Sequence, residues 1–191
     1  ESKTVAMHNI NLFDEDIPII VPSGSCAGMM GHDYLQLFEG SPEFDKVQRF
    51  AARVYDLSQY LDEILQVNYE DKGEKIKVAW HSNCHALRVA KSVEASKNLI
   101  RKFANVELLE LEHEEECCGF GGTFAVKESD ISNAMALAKI EDIKKTGASY
   151  LISGDGGCLL NISGTMKRNG VDIKCLHLYD FLIKRLEGAP L

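Results

Sequence analysis

The residues of this chain best equipped for chemistry are Cys84, the adjacent pair Cys117-Cys118, and Cys158. Thirty-two residues separate Cys84 from Cys117, and thirty-nine separate Cys118 from Cys158. Four thiolates converging from neighbouring loops make a sulfur site, which suits zinc or an iron-sulfur cluster. Structural zinc typically uses C-x₂₋₄-C knuckles, and this chain has none: Asp155 stands three before Cys158 and Ser23 three before Cys26. Adjacent cysteines leave the backbone in diverging directions, an awkward start for one tetrahedral ion. A multi-iron cluster spreads its ligand positions and accepts both.

The surrounding glycines fit such a site. In Cys117-Cys-Gly119-Phe-Gly121-Gly122 and Gly154-Asp-Gly156-Gly157-Cys158 the backbone can approach a ligand closely, and free N–H groups can bond cluster sulfurs. Gly119 and Gly157, beside the cysteines, are expected to support the ligands in this way. A phosphate cradle is the rival reading, but neither loop matches G-x-x-x-x-G-K-[ST] or the full dinucleotide pattern. A vicinal disulfide at Cys117-Cys118 would close a strained eight-atom ring. A thiol enzyme is a further class, because His81 and His85 flank Cys84 and imidazole near a thiol can lower its pKa. That reading leaves the other three cysteines unexplained, so both histidines are expected to surround the metal site.

Outside the cysteine loops, short apolar runs suited to buried strands occur at Ile17-Val21, Ile76-Trp80, Val106-Leu111, Tyr150-Ser153 and Ile173-His177. Between them lie helical patterns. The clearest runs from Asp45 to Ile64, with Val47, Phe50, Val54, Leu57, Leu61 and Ile64 on one face. Others run from Ser129 to a stop at Gly147, from Leu159 to a stop at Gly170, and from Leu178 to Leu186. Strand, loop and helix in alternation predict an α/β fold of mostly parallel sheets with helices on both faces. Ligands of such sheets bind beyond the carboxyl ends of the strands, where five of the six cysteines fall. Cys175 lies inside an apolar run and reads as core. The acidic run Glu110–Glu116 reads as a solvated approach to the Cys117-Cys118 pair.

The 191 residues are 45% hydrophobic and carry a formal charge of −8, which argues against nucleic acid and anionic membrane surfaces as partners. No run approaches the roughly 18 apolar residues of a spanning helix, and the N-terminal stretch does not read as a signal peptide. A cytoplasmic protein is expected. Val21-Pro-Ser-Gly-Ser-Cys26 and Ser153-Gly-Asp-Gly-Gly-Cys158 resemble each other at a register of 132 residues, from 26 to 158, which suggests a duplicated module. The division expected is 1–70, the C-terminal part of a first module that begins upstream of Glu1, and 71–191, a complete second one. Cys26 is then the remnant of a duplicate site.

At Cys84, Glu116-Cys-Cys-Gly-Phe-Gly-Gly-Thr-Phe-Ala-Val126 and Ser153-Gly-Asp-Gly-Gly-Cys-Leu-Leu160 the chain resembles the cysteine-rich CCG domain family. Within it the likeness is greatest to the lactate-utilisation iron-sulfur protein A group, relatives of the glycolate oxidase iron-sulfur subunit and of the CCG-carrying component of heterodisulfide reductase. The resemblance spans essentially the whole chain. It implies two such modules, with Cys84, Cys117, Cys118 and Cys158 as metal ligands and Cys26 retained from the first set. Asp155 stands where the full family pattern has a fifth cysteine. The cofactor implied is an iron-sulfur cluster of the 4Fe-4S type, with zinc as the alternative. The role implied is cytoplasmic electron transfer in a complex with partner subunits that oxidises L-lactate to pyruvate. A non-redox zinc-holding module, or electron transfer for glycolate or a disulfide substrate, is the alternative.

Overall fold

The computed structural model describes residues 1–13 and 16–191. Its architecture is α/β with two separate parallel sheets. After helix α1 (Ser2–Asn11), strand β1 (Ile19–Val21) leads into helix α2 (24–37), then α3 (Phe44–Ala51), strand β2 (Val54–Asp56) and α4 (57–64). Strands β1 and β2 pair in parallel, with Val21 opposite Asp56. The second sheet comprises β3 (Ile76–Trp80), β4 (Val106–Leu109), β5 (Tyr150–Ser153) and β6 (Lys174–His177), in the spatial order β4-β3-β5-β6 and parallel throughout. Its connections are helical: α5 (84–90) and α6 (Val93–Arg101) after β3, α7 (Phe124–Lys127) and α8 (Ser129–Thr146) after β4, and α9 (Gly156–Arg168) after β5. Helix α10 (Leu178–Glu187) closes the chain.

Strand alternation explains the two layers of helix. Val78, Trp80 and Ile152 point to one face and pack with Leu99, Ile100 and Phe103 from the α6 side and Phe181 from α10. Ala79 and Leu151 point to the other, against Ile140 and Ile143 of α8 and Ile162 and Met166 of α9. A strand covered on both sides reads as a continuous apolar run, and for that reason these strands stand out in the sequence. The smaller sheet has its own core of Ile10, Ile19, Val21, Tyr34, Phe38, Val47 and Phe50. Residues beyond β2 turn toward the larger sheet, and Leu61, Val67 and Tyr69 pack on its core.

One expectation fails. The apolar stripe from Asp45 to Ile64 is not a single helix but α3, β2 and α4 in succession. β-Branched Val54 and aromatic Tyr55 suit a strand, and β1 offers an edge to pair with. Asp56 then starts a new helix by accepting the Ser58 amide at 2.8 Å. Ile64 is 55% exposed, so the stripe ends before it. Helix α9 starts at Gly156 rather than Leu159, and helices to which the periodicity gave no range, α1, α2, α5, α6 and α7, are present. The glycine stops at Gly147 and Gly170 do adopt left-handed φ, +70° and +67°. Among the described residues no helix is long and apolar enough to cross a membrane.

The second sheet is closed at its base by a buried ion pair. Arg185 of α10 meets Asp71 at 2.5 Å, and both side chains are 2% exposed. Asp71 also accepts the amides of Gly73 at 3.0 Å and Asn105 at 2.8 Å, so one carboxylate joins the segments entering β3 and β4 to the last helix. Replacing one partner strands a buried charge, which costs about 3–5 kcal/mol. Asp71→Ala is expected to lose stability on that scale, measured as a lower midpoint in urea unfolding.

Candidate metal centre

The order β4-β3-β5-β6 makes the β3/β5 seam the point where the chain's direction of winding reverses, the place where open α/β sheets leave a crevice at the strand carboxyl ends. Three cysteine segments meet there. After Trp80 the pairing with β5 continues for one more residue, His81 N donating to Ile152 O at 2.9 Å. This fixes His81 at the mouth of the seam, fully buried. Asn83 caps the next helix through its Oδ1 on the Ala86 amide at 2.7 Å, and Cys84 lies in that first turn. Across the seam, Asp155 caps α9 by accepting from Gly157 N at 3.0 Å and Cys158 N at 3.3 Å, holding Cys158 in the opening turn.

The Cys117-Cys118 loop arrives from β4 and is clamped by α8. The His113 peptide is gripped from both sides: its carbonyl accepts from the Lys139 ammonium, and its amide donates to Asp142 Oδ2 at 2.9 Å. Asn161 of α9 donates to Cys118 O at 2.8 Å. Gly119 sits at φ +83°, and a Cβ there would fall 2.6 Å from Ser132 O. Its amide points at Cys117 Sγ, 3.4 Å away. Gly157 is required for a different reason: the Phe120 ring lies against it, 2.3 Å from where a Cβ would stand. These two glycines let the loop and the start of α9 come into contact.

The four thiols form a row in which Cys84 interacts with Cys117, Cys117 with Cys118, and Cys118 with Cys158. Sulfur atoms of Cys118 and Cys158 and a ring nitrogen of His81 lie within 4.8 Å of one another. Two ligands of a single zinc at about 2.3 Å each can be no more than about 4.6 Å apart, so a small inward shift would close this buried trio on one metal. The crowding disfavours thiolate in the chain alone. Bonding from Cys118 and burial push the Cys117 thiol well above its ordinary value. At Cys118 the bond from Cys117 pulls the other way, yet Cys158 and burial prevail and push the thiol up to about 12. A bound cation reverses that balance, because coordination deprotonates a thiol outright. The His81 imidazole is held down to about 3 by burial and by the Lys139 charge, so it is neutral, and neither ring nitrogen has a hydrogen-bond partner among the described residues. Converging thiols with a buried neutral imidazole fit a soft metal or cluster.

The other site expectations separate. His85 faces the smaller sheet: its Nε2 is 2.8 Å from Asp33 Oδ2, and its ring lies over Gly28. Cys26 is exposed in the first turn of α2. Cys175 lies in β6 opposite Leu151 and packs near Met166. The acidic run is largely solvated, as expected, with Glu110, Glu112, His113, Glu115 and Glu116 exposed, but two of its acids are also engaged. Glu110 and Glu114 close on the buried Lys97 at 2.6 and 2.7 Å, and Glu114 also takes the Ser82 hydroxyl at 2.5 Å. Burial would lower the Lys97 ammonium, but the two carboxylates outweigh it and hold it above the ordinary lysine value. Sequence reasoning missed Lys97, Lys139 and Asp142, three charges on helix faces, although each is buried.

Asp155, in the place of a fifth cysteine, has both oxygens engaged. While Oδ1 caps α9, Oδ2 accepts from Ser25 Oγ at 2.5 Å and lies 3.5 Å from Ser23 Oγ. Ser23 is the N-cap residue of the Cys26 helix, as Asp155 is of the Cys158 helix. Loss of a capping side chain costs about 0.5–2 kcal/mol. Asp155→Ala is expected at the upper end of that range in denaturant unfolding, because Ser25 loses its partner as well.

Comparison with known proteins agrees with this geometry. A family model described as a cysteine-rich domain, CCG, matches residues 78–163, which carry all four thiols of the row. Lactate utilization protein A of Shouchella clausii is 40% identical over 185 residues, covering 95% of this chain and 76% of that protein. The protein of the same name from Halalkalibacterium halodurans is 38% identical over 183 residues, 95% of this chain and 75% of the relative. That of Oceanobacillus iheyensis is 35% identical over 190 residues, 99% and 78%. The chain belongs to the lactate utilization protein A family.

Proposed function

We propose that this chain is an iron-sulfur electron-transfer subunit of a complex that oxidises L-lactate to pyruvate in the cytoplasm. The observation that carries the reading is the convergence of Cys84, Cys117, Cys118 and Cys158 from three loops at the β3/β5 seam. These four thiols would hold a cluster of the 4Fe-4S type, which when bound takes up and releases single electrons. The chain's own residues do the rest. Gly119 directs its amide at Cys117 Sγ, and Gly157 admits Phe120, whose ring helps to keep water from the buried side. His81 would stand against the Cys118–Cys158 end of the cluster, while His85, tied to Asp33, would hold the Cys84 segment to the smaller sheet. The relatives' names support lactate as the electron source, with the hydroxy acid oxidised on a partner subunit. We further propose that 1–70 and 71–191 are two related modules. β1, α2, β2 and α4 of the first correspond to β5, α9, β6 and α10 of the second, with α3 an additional helix, and Cys26 holds the place in the first that Cys158 holds in the second.

A second reading, a zinc-holding module that organises a complex without redox chemistry, is favoured by the compact His81, Cys118 and Cys158 trio. Anaerobic purification followed by iron, sulfide and zinc analysis separates the two. Iron with matching sulfide and a broad visible absorbance is expected; a colourless protein with one zinc would establish the second reading instead. Cys118→Ala is expected to lose the bound iron, and Cys175→Ala to retain it.

A further inference from the structure

At the seam, among the described residues, the His81 ring is left without hydrogen bonds, as is the Ser153 hydroxyl at the end of β5. The His81 side chain is 0% exposed, and both Nδ1 and Nε2 lack a hydrogen-bond partner among the described residues. Leaving a buried donor unmet costs about 1–3 kcal/mol. The His81 backbone is held at this point by its amide, which donates to Ile152 O at 2.9 Å. A ring nitrogen lies within 4.8 Å of the sulfurs of both Cys118 and Cys158. His85, four residues on, provides the contrast: it has its partner in Asp33 and faces away from the row.

We propose that His81 gives its imidazole N–H to the sulfurs at the Cys118–Cys158 end of the site and thereby raises the reduction potential of the cluster held there, without being a ligand itself. This rests on the iron-sulfur reading above. A neutral imidazole has one N–H and one lone pair. Ligation would engage the lone pair and leave the N–H buried and unmet; donation to sulfur engages the N–H, the costlier of the two to orphan. Four cysteines already supply a complete ligand set for a 4Fe-4S cluster. A donor aimed at sulfur favours the more negative, reduced state, so it moves the potential upward.

The test is a redox titration of anaerobically purified wild-type protein, His81→Phe and His81→Gln, with iron and sulfide measured on each. The expected result is full iron content in all three, a potential shifted downward in His81→Phe, and recovery of most of that shift in His81→Gln, which restores an N–H. Equal potentials for wild type and His81→Phe would overturn the proposal. Pulsed EPR on the reduced wild type decides the matter without any variant: a weakly coupled nitrogen with an exchangeable proton near the cluster is expected, and the strong coupling of a coordinated nitrogen would make His81 a ligand and refute the donor role. Wild-type protein that binds zinc and no iron would overturn the iron-sulfur reading and this inference together, whereas the other negative results leave that reading standing.

Discussion

Parallel pairing between β3 and β5 is the constraint on which the sulfur site rests. Because Ala79 faces Leu151 and Trp80 faces Ile152 in a common direction, the chain leaves both strands at the same edge. The strands on either side, β4 and β6, are then reached in opposite senses, which opens a crevice between the departing helices. Cys84 and Cys158 each take the first turn of such a helix, set by Asn83 and Asp155 respectively. A slip of the register by one residue would turn each strand's side chains to the other face and carry His81 away from the seam.

The Cys117-Cys118 loop has no strand end to hold it and depends instead on buried charge. Lys97, from one face of the sheet, draws in Glu110 and Glu114; Lys139 and Asp142, from the other, hold the His113 peptide. Buried lysines are rare unless paired, and here their partners are the loop itself. The arrangement explains how a run with five glutamates between residues 110 and 116 can sit beside four thiols: two of the acids are engaged by Lys97 and turned from the sulfurs.

Much of this was readable from residue order. The larger sheet's strands are apolar on both faces, so their runs stood out, and glycines at 147 and 170 marked helix ends because a left-handed turn favours that residue. The four cysteines that stood out in the loops after strands are the ones the fold brings into a row. What could not be read was whatever depends on partners distant in sequence. Strand β2 hid inside a helical stripe because its reason for being a strand is the β1 edge. The engagement of Glu110 and Glu114 was hidden because Lys97 is brought to them only by folding. The two histidines beside Cys84 looked alike, and only tertiary packing distinguishes them: one meets Asp33, the other is enclosed with sulfur.

The sulfur row is unevenly covered. Cys118 and Cys158 are buried at 2% and 7%, Cys117 is half-buried, and Cys84 is exposed. The site is therefore insulated on one flank and open on the other, with Arg88 and Met135 beside Cys117 at the opening. Dioxygen, chelators and a docking protein all meet the same flank first. On the electron-transfer reading proposed above, the face that would admit a redox partner is also the face at which oxidation would begin, so a partner seated there would act as a shield as well as a conductor.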